Sequence, residues 1–125
     1  MRSSVTPGAQ GICPYAWHIP SDAEWSALTT YLGGDSVAGT MMKAATGWYN
    51  NGNGTNTSGF TGLPGGYRGN DSNFNNLTQL AFFWSSTQAD ASSAWNRKLN
   101  YDTAVVTKYN SFMTDGFSVR CVRNQ

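Results

Sequence analysis

Apolar positions along the chain change period twice, dividing it into an extended and helical opening, a long loop and a strand-rich end. Gly11-Ile-Cys-Pro-Tyr-Ala-Trp-His-Ile-Pro20 reads as a short extended segment punctuated by prolines. Ser21-Asp-Ala-Glu24 then forms a capping box: the Ser21 hydroxyl accepts from the third helical N–H while Glu24 reaches back to the cap. A helix is predicted from there, with Ala23, Trp25, Leu28, Tyr31 and Leu32 on its apolar side and Gly33-Gly34 as its left-handed stop. A second helix is expected from a cap at Asp35 through Val37, Ala38, Met41, Met42 and Ala45 to Thr46-Gly47. Both apolar stripes read as core.

Residues 48–76 are rich in Gly, Asn, Thr and Ser, yet Trp48, Phe60, Tyr67 and Phe74 recur among them. That spacing predicts a long loop held down on the core by aromatic anchors. Four strands are expected after it, over 81–87, 94–101, 104–109 and 117–122. Period-two alternation marks three of them, as in Trp95/Arg97/Leu99/Tyr101 against Asn96/Lys98/Asn100 and Phe117/Val119/Cys121 against Ser118/Arg120/Val122. Helices followed by an antiparallel sheet make the fold class α+β, as a single domain over 11–125 behind an irregular segment 1–10.

Composition narrows the function. Among 125 residues, 8 Lys+Arg face 7 Asp+Glu, a formal charge of +1, and only 12% of residues are charged. The basic residues are scattered, so the clustered charge that phosphate recognition needs is missing and no nucleic-acid partner is expected. The longest apolar run, Leu80-Ala-Phe-Phe-Trp84, is far short of a bilayer span, so no direct membrane insertion is expected either. No apolar stretch follows Met1-Arg2-Ser3-Ser4, so no signal peptide is expected here; the start reads as that of an excised domain, and any native signal or anchor would lie outside it. The two cysteines, Cys13 and Cys121, stand near the two ends. Two buried free thiols are one reading. A disulfide is favoured, because scarce lysine and abundant Asn, Thr and Ser suit an exported domain; it would lay the first and last strands side by side. Asn-X-Ser/Thr triplets at Asn53, Asn56, Asn70 and Asn76 carry little weight in so Asn-rich a chain.

Five spaced motifs carry a resemblance. Cys13-Pro-Tyr-Ala-Trp-His-Ile-Pro-Ser-Asp-Ala-Glu-Trp25, Thr46-Gly-Trp48, Ser58-Gly-Phe-Thr-Gly-Leu-Pro-Gly-Gly-Tyr-Arg68, Phe83-Trp-Ser-Ser-Thr87 and Gly116-Phe-Ser-Val-Arg-Cys-Val122 resemble the Fibrobacter succinogenes major paralogous domain family over about residues 11–123. That family is similar to the formylglycine-generating-enzyme branch of the C-type lectin fold. The resemblance therefore implies a C-type-lectin-like fold, two helices on a small mostly antiparallel sheet with long irregular loops, in an exported bacterial protein. Residues 88–115 also resemble the rewritten repeat of variable proteins from diversity-generating retroelements, in which adenines of Asn-rich codons are replaced. This second resemblance implies a ligand-binding face made of Asp90, Ser92, Asn96, Lys98, Asn100, Asp102, Thr103, Thr107, Tyr109, Asn110, Phe112 and Thr114. Their Tyr, Asn and Ser content is that of a paratope. Phe112 and Met113 are unusual at a turn, where an apolar pair must pack or bind. Trp84, Trp95, Leu99 and Phe117 are expected in the core.

Catalytic signals are weak. Acid–base chemistry needs a poised pair, and His18 is the one histidine. The resemblance to formylglycine-generating enzymes would imply two nearby cysteines for copper-dependent oxidation in the C-terminal part, where only Cys121 lies, half of the expected disulfide. Asp71-Ser-Asn73-Phe-Asn75 has the oxygen spacing that opens a calcium loop, but Asn76 replaces the glycine and Phe82 the bidentate glutamate. No catalytic residue, metal or cofactor is thus assigned. The expectation is a non-enzymatic recognition domain, extracellular or on a cell surface, binding a protein or glycan on another cell. The alternatives are a non-diversified paralogous domain with a structural or polysaccharide-associated role, or a degenerate enzyme of the formylglycine-generating type.

Overall fold

A computed structural model describes residues 8–125, so most of the irregular opening segment lies outside the described residues. The order of elements is β1 (Trp17–His18), α1 (Asp22–Tyr31), α2 (Asp35–Met42), a short 3₁₀ turn (Tyr49–Asn51), β2 (Tyr67–Arg68), β3 (Phe74–Asn75), β4 (Leu80–Gln88), β5 (Ser93–Asn100), β6 (Thr107–Phe112) and β7 (Val122–Arg123). The class is α+β. Its sheets are small and antiparallel: β4-β5-β6, β1-β7 and β2-β3.

The capping box at Ser21 forms as its sequence predicts, with Glu24 N–H donating to Ser21 Oγ and Ser21 N–H donating to Glu24 Oε1. Gly33 (φ 104°) ends α1: its N–H donates to Thr30 and that of Gly34 to Thr29, satisfying carbonyls the helix leaves open. The buried side of α1 is Trp25 and Thr29, flanked by Leu28 and Leu32, whereas Ala23 and Tyr31 are exposed. Trp25 fixes the rotation of the helix by entering the sheet, which turns those two positions outward. Gly34, not Asp35, caps α2, and α2 stops at Met42, leaving Ala45 outside it.

A second backbone ladder ends α2 early. Thr55, Ser58 and Gly62 donate N–H bonds to the carbonyls of Thr40, Met41 and Met42, and Ala44 returns one to Gly62. The long loop is therefore sewn onto the helix C-terminus by backbone bonds as well as by aromatics. Trp48 is buried with its indole N–H on the Gly62 carbonyl, Phe60 packs on the core and Tyr67 is half-buried, but Phe74 is exposed. Asn50, Asn51, Asn56 and Asn76 adopt φ between 50° and 60°, a region asparagine tolerates better than other side-chain-bearing residues, so part of the Asn-rich composition serves turn geometry.

The core lies between the helices and one face of the main sheet: Trp25, Ala38, Met42, Trp48, Ala81, Phe83, Leu99 and Val106. On the opposite face Tyr67, Phe82, Trp84 and Phe117 form a second aromatic cluster, with Phe117 4.6 Å from Phe82 and 4.4 Å from Trp84 between ring centroids. Strand β6 begins at Thr107, three residues later than the pattern predicts. The backbone before it is engaged by α2, since Gly39 donates to the Ala104 carbonyl and Val106 to that of Asp35. A Cβ at Gly39 would lie 2.6 Å from that Ala104 oxygen, which is why the position is glycine. The strand expected over 117–122 survives as β7 and two isolated bridges, Arg68↔Gly116 and Phe83↔Ser118. Cys13 and Cys121 are bonded, their Cα atoms 5.8 Å apart, and β1 pairs antiparallel with β7. The two ends of the domain are joined as the cysteine spacing suggests.

Candidate ligand-recognition face

Strand β5 is central, paired with β4 on one side and β6 on the other. The outer edge of β4 is occupied by backbone bonds to Gly66 and Ser118. Among the described residues β6 pairs only with β5, so it is the free edge of this sheet. Register then sorts the side chains. Trp84, Asn96 and Tyr109 lie across from one another on the aromatic face, as do Phe82, Lys98 and Thr107; Phe83, Arg97 and Lys108 share the helix face.

Eleven of the twelve predicted binding residues separate into four groups, and the twelfth, Asn96, is buried. Asp90, Ser92 and Thr114 are exposed at the end of the sheet where the β4–β5 turn meets the segment after β6, and Met113 N–H donates to the Ser92 carbonyl there. Lys98, Thr107 and Tyr109 stand along the aromatic face, with the Lys98 ammonium 4.8 Å from the Tyr109 ring centroid. Asn100, Asp102 and Thr103 lie at the far end, where the carbonyls of Asn100 and Thr103 accept from the buried Lys43 ammonium. Burial pushes the Lys43 pKa down, against the pull of Asp102. Asn110 and Phe112 are exposed but belong by register to the helix face, paired with Trp95 and Ser93. The twelve positions are thus not one continuous surface.

Asn96 requires a correction: it is fully buried and donates from Nδ2 to Ser111 Oγ at 3.0 Å. Its place on the central strand between Trp84 and Tyr109 removes it from solvent. Asn100 is half-buried, its Oδ1 enclosed without a hydrogen-bond partner among the described residues. Of the expected core residues, Trp84 and Leu99 are buried, but Trp95 and Phe117 are half-buried, Trp95 lying beneath the Lys108 ammonium at 4.2 Å.

Two adjoining clefts remain open around this face. One, of about 290 Å³, is lined by Tyr67, Phe82, Lys98, Tyr109, Asp115 and Phe117; the other, of about 430 Å³, by Asp90, Ser93, Asn110, Phe112 and Asp115. Ser111 and Asp115 line both. Burial raises the pKa of Asp115 against the nearby Asn70 backbone amide, and the charge of Asp71 adds to the rise. Neither Asp115 nor Lys98 makes an ion pair with any described residue. Tyr67, Phe82, Ser111, Asp115 and Phe117 are not among the predicted binding residues, because the three aromatics have the pattern of scaffold and only strand register shows what lies beside Tyr109. Asp90 accepts from the backbone N–H groups of Ser92 and Ser93, which hold its carboxyl below the usual range and fix the turn.

The region around His18 is built differently. Its Nδ1 meets Asn124 Oδ1 at 2.6 Å and its Nε2 meets Glu24 Oε1 at 2.9 Å. Asp71 accepts from the Asn73 backbone and side chain, closing the loop whose spacing resembles a calcium site. Among the described residues no three His, Cys, Asp or Glu side chains gather as a metal site would require, and no helix is long and apolar enough to cross a membrane.

These features define an α+β domain with small antiparallel sheets, cross-linked end to end, with polar clefts along one free sheet edge. Residues 3–123 match the family model described as the Fibrobacter succinogenes major domain, and the chain belongs to that family. No curated protein and no solved structure matches the chain.

Proposed function

We propose that this domain is a non-enzymatic recognition module with a C-type-lectin-like fold, carried by a surface or secreted protein. It binds a protein or glycan on another cell through the free edge of the β4-β5-β6 sheet, strand β6, with side chains from both of its faces. The observation that carries this reading is the exposure of Tyr109, Asn110 and Phe112 on edge strand β6, beside clefts holding Lys98 and Asp115, neither of which is in an ion pair with a described residue. Exposed aromatics among small polar side chains supply contact area at low entropy cost. Their neighbours across the sheet on β5 are the buried Asn96 and Ser93 and the half-buried Trp95, so the exposed side chains stand on a packed central strand.

The same division supports diversification of residues 88–115. Asp90, Ser92, Asp102, Tyr109, Asn110, Phe112 and Thr114 are exposed and can change without disturbing the core, whereas Asn96 cannot. Sequencing the gene's neighbourhood tests this. A second copy of the 88–115 codons, differing only at adenines and beside a reverse transcriptase, is expected. A locus with no such copy removes the diversification and leaves an undiversified surface domain.

A further inference from the structure

A third cavity, of about 450 Å³, lies away from the recognition face, between α1 and the segment that carries Cys121. None of its lining residues belongs to 88–115. Trp25, Leu28, Phe60 and Val122 give it apolar walls, and Arg120 and Glu24 are the charged residues of its lining. Its size is that of a small-molecule site.

The two charged groups are not equivalent. Glu24 is committed to His18 and to the N–H of Ser21. Arg120 lies over the Phe60 ring, 4.6 Å from its centroid, and donates to the Phe60 carbonyl. No described carboxylate is within ion-pair distance of it, and the seven residues outside the description include no Asp or Glu. A guanidinium has five N–H donors in a planar fork suited to a carboxylate. An apolar cavity with one such cation in its lining complements a molecule with an apolar body and a single anionic end. We propose that this cavity binds a small apolar monocarboxylate of the arylalkanoate type, its ring among Trp25, Leu28 and Phe60 and its carboxylate on Arg120.

The probe is 3-phenylpropionate, titrated into the intact domain by calorimetry and ligand-observed NMR beside its neutral amide. The acid is expected to bind, and the amide to bind about tenfold more weakly or worse, because it lacks the charge-assisted bond. Arg120→Gln should lose a similar factor while Arg120→Lys retains part of the affinity. Arg120 also holds the Phe60 loop, so Ala27→Trp provides a second variant: Ala27 is exposed, lines the cavity and can be enlarged without touching the core. It should abolish binding of the acid with the melting temperature unchanged. Equal binding of acid and amide, unaltered affinity in Ala27→Trp, or no binding by the unmodified domain at roughly 10 mM, the weakest useful range, each overturns the proposal.

Discussion

Arg97 on β5 donates from Nη1 to Asp22 Oδ1 on α1 at 2.7 Å, with the guanidinium almost wholly buried. The same guanidinium reaches the Asp22 carbonyl and Ser26 Oγ, and Lys108 on β6 takes Asp22 Oδ2 at 2.9 Å. One aspartate in the first turn of α1 thereby joins the helix to two strands. Removing it leaves the Arg97 charge buried with no carboxylate, so Asp22→Ala should cost about 3 kcal/mol in denaturant unfolding. Arg97→Met should cost much less, roughly 1 kcal/mol or nothing, because Asp22 keeps Lys108 and the methionine fills apolar space. Equal costs would show that shape, not charge pairing, matters at this joint.

Helix α1 was legible from Ser21 and Glu24 because a cap is a local device, and the disulfide because a lysine-poor, Asn-, Thr- and Ser-rich chain with one cysteine near each end suits an oxidising compartment. The Asp22–Arg97 joint was not legible, although Arg97 stood among apolar residues in the period-two pattern. A charged residue on a core-facing register signals a buried partner without saying which one. The late start of β6 and the early end of α2 share a cause: each is set by backbone bonds from distant loops, at Gly39–Ala104 and Gly62–Met42, and neither leaves a mark in the side-chain pattern. Asn96 misled for a related reason, since alternation identifies a face but not what covers it.

His18 makes stability depend on pH near neutrality. Its bond to Asn124 raises its pKa, burial opposes, and Glu24 raises it further. Both ring nitrogens face oxygen acceptors, an arrangement that suits the doubly protonated ring. A folded pKa above the unfolded value gives stability that is complete below the ordinary 6.5 and is lost as pH rises through the raised value. Thermal unfolding from pH 5.5 to 8.5 should show this decline and His18→Gln should flatten it; an unchanged slope in the variant would place the titration elsewhere.

The Cys13–Cys121 bond spans 108 positions and also holds β1 against β7. Restricting so long a loop in the unfolded chain contributes at most about 4–5 kcal/mol. Cys121→Ser should lower the melting temperature under non-reducing conditions, and adding reductant to the unmodified domain should bring it to the same value. Indifference to both would mean the bond is not what closes the domain.

Asp115 sits in both clefts with its pKa raised by burial. A raised folded pKa means that the ionised carboxylate opposes folding above that value, so Asp115→Asn should stabilise the domain at pH 7 and lose the advantage in acid. The same substitution should weaken ligand binding if the carboxylate is kept for contact and not for stability. A variant no more stable than the unmodified domain at pH 7 would remove that argument.

The recognition face is tested most directly by binding to arrays of glycans and bacterial surface proteins, comparing the unmodified domain with a Tyr109→Ala, Asn110→Ala, Phe112→Ala variant. The unmodified domain is expected to select a ligand. The triple variant should lose at least about tenfold in affinity, as removing central aromatic contacts does, while its unfolding transition is unchanged. Binding at full strength by the variant, or its failure to fold, would contradict the account by assigning these side chains to no contact or to the scaffold.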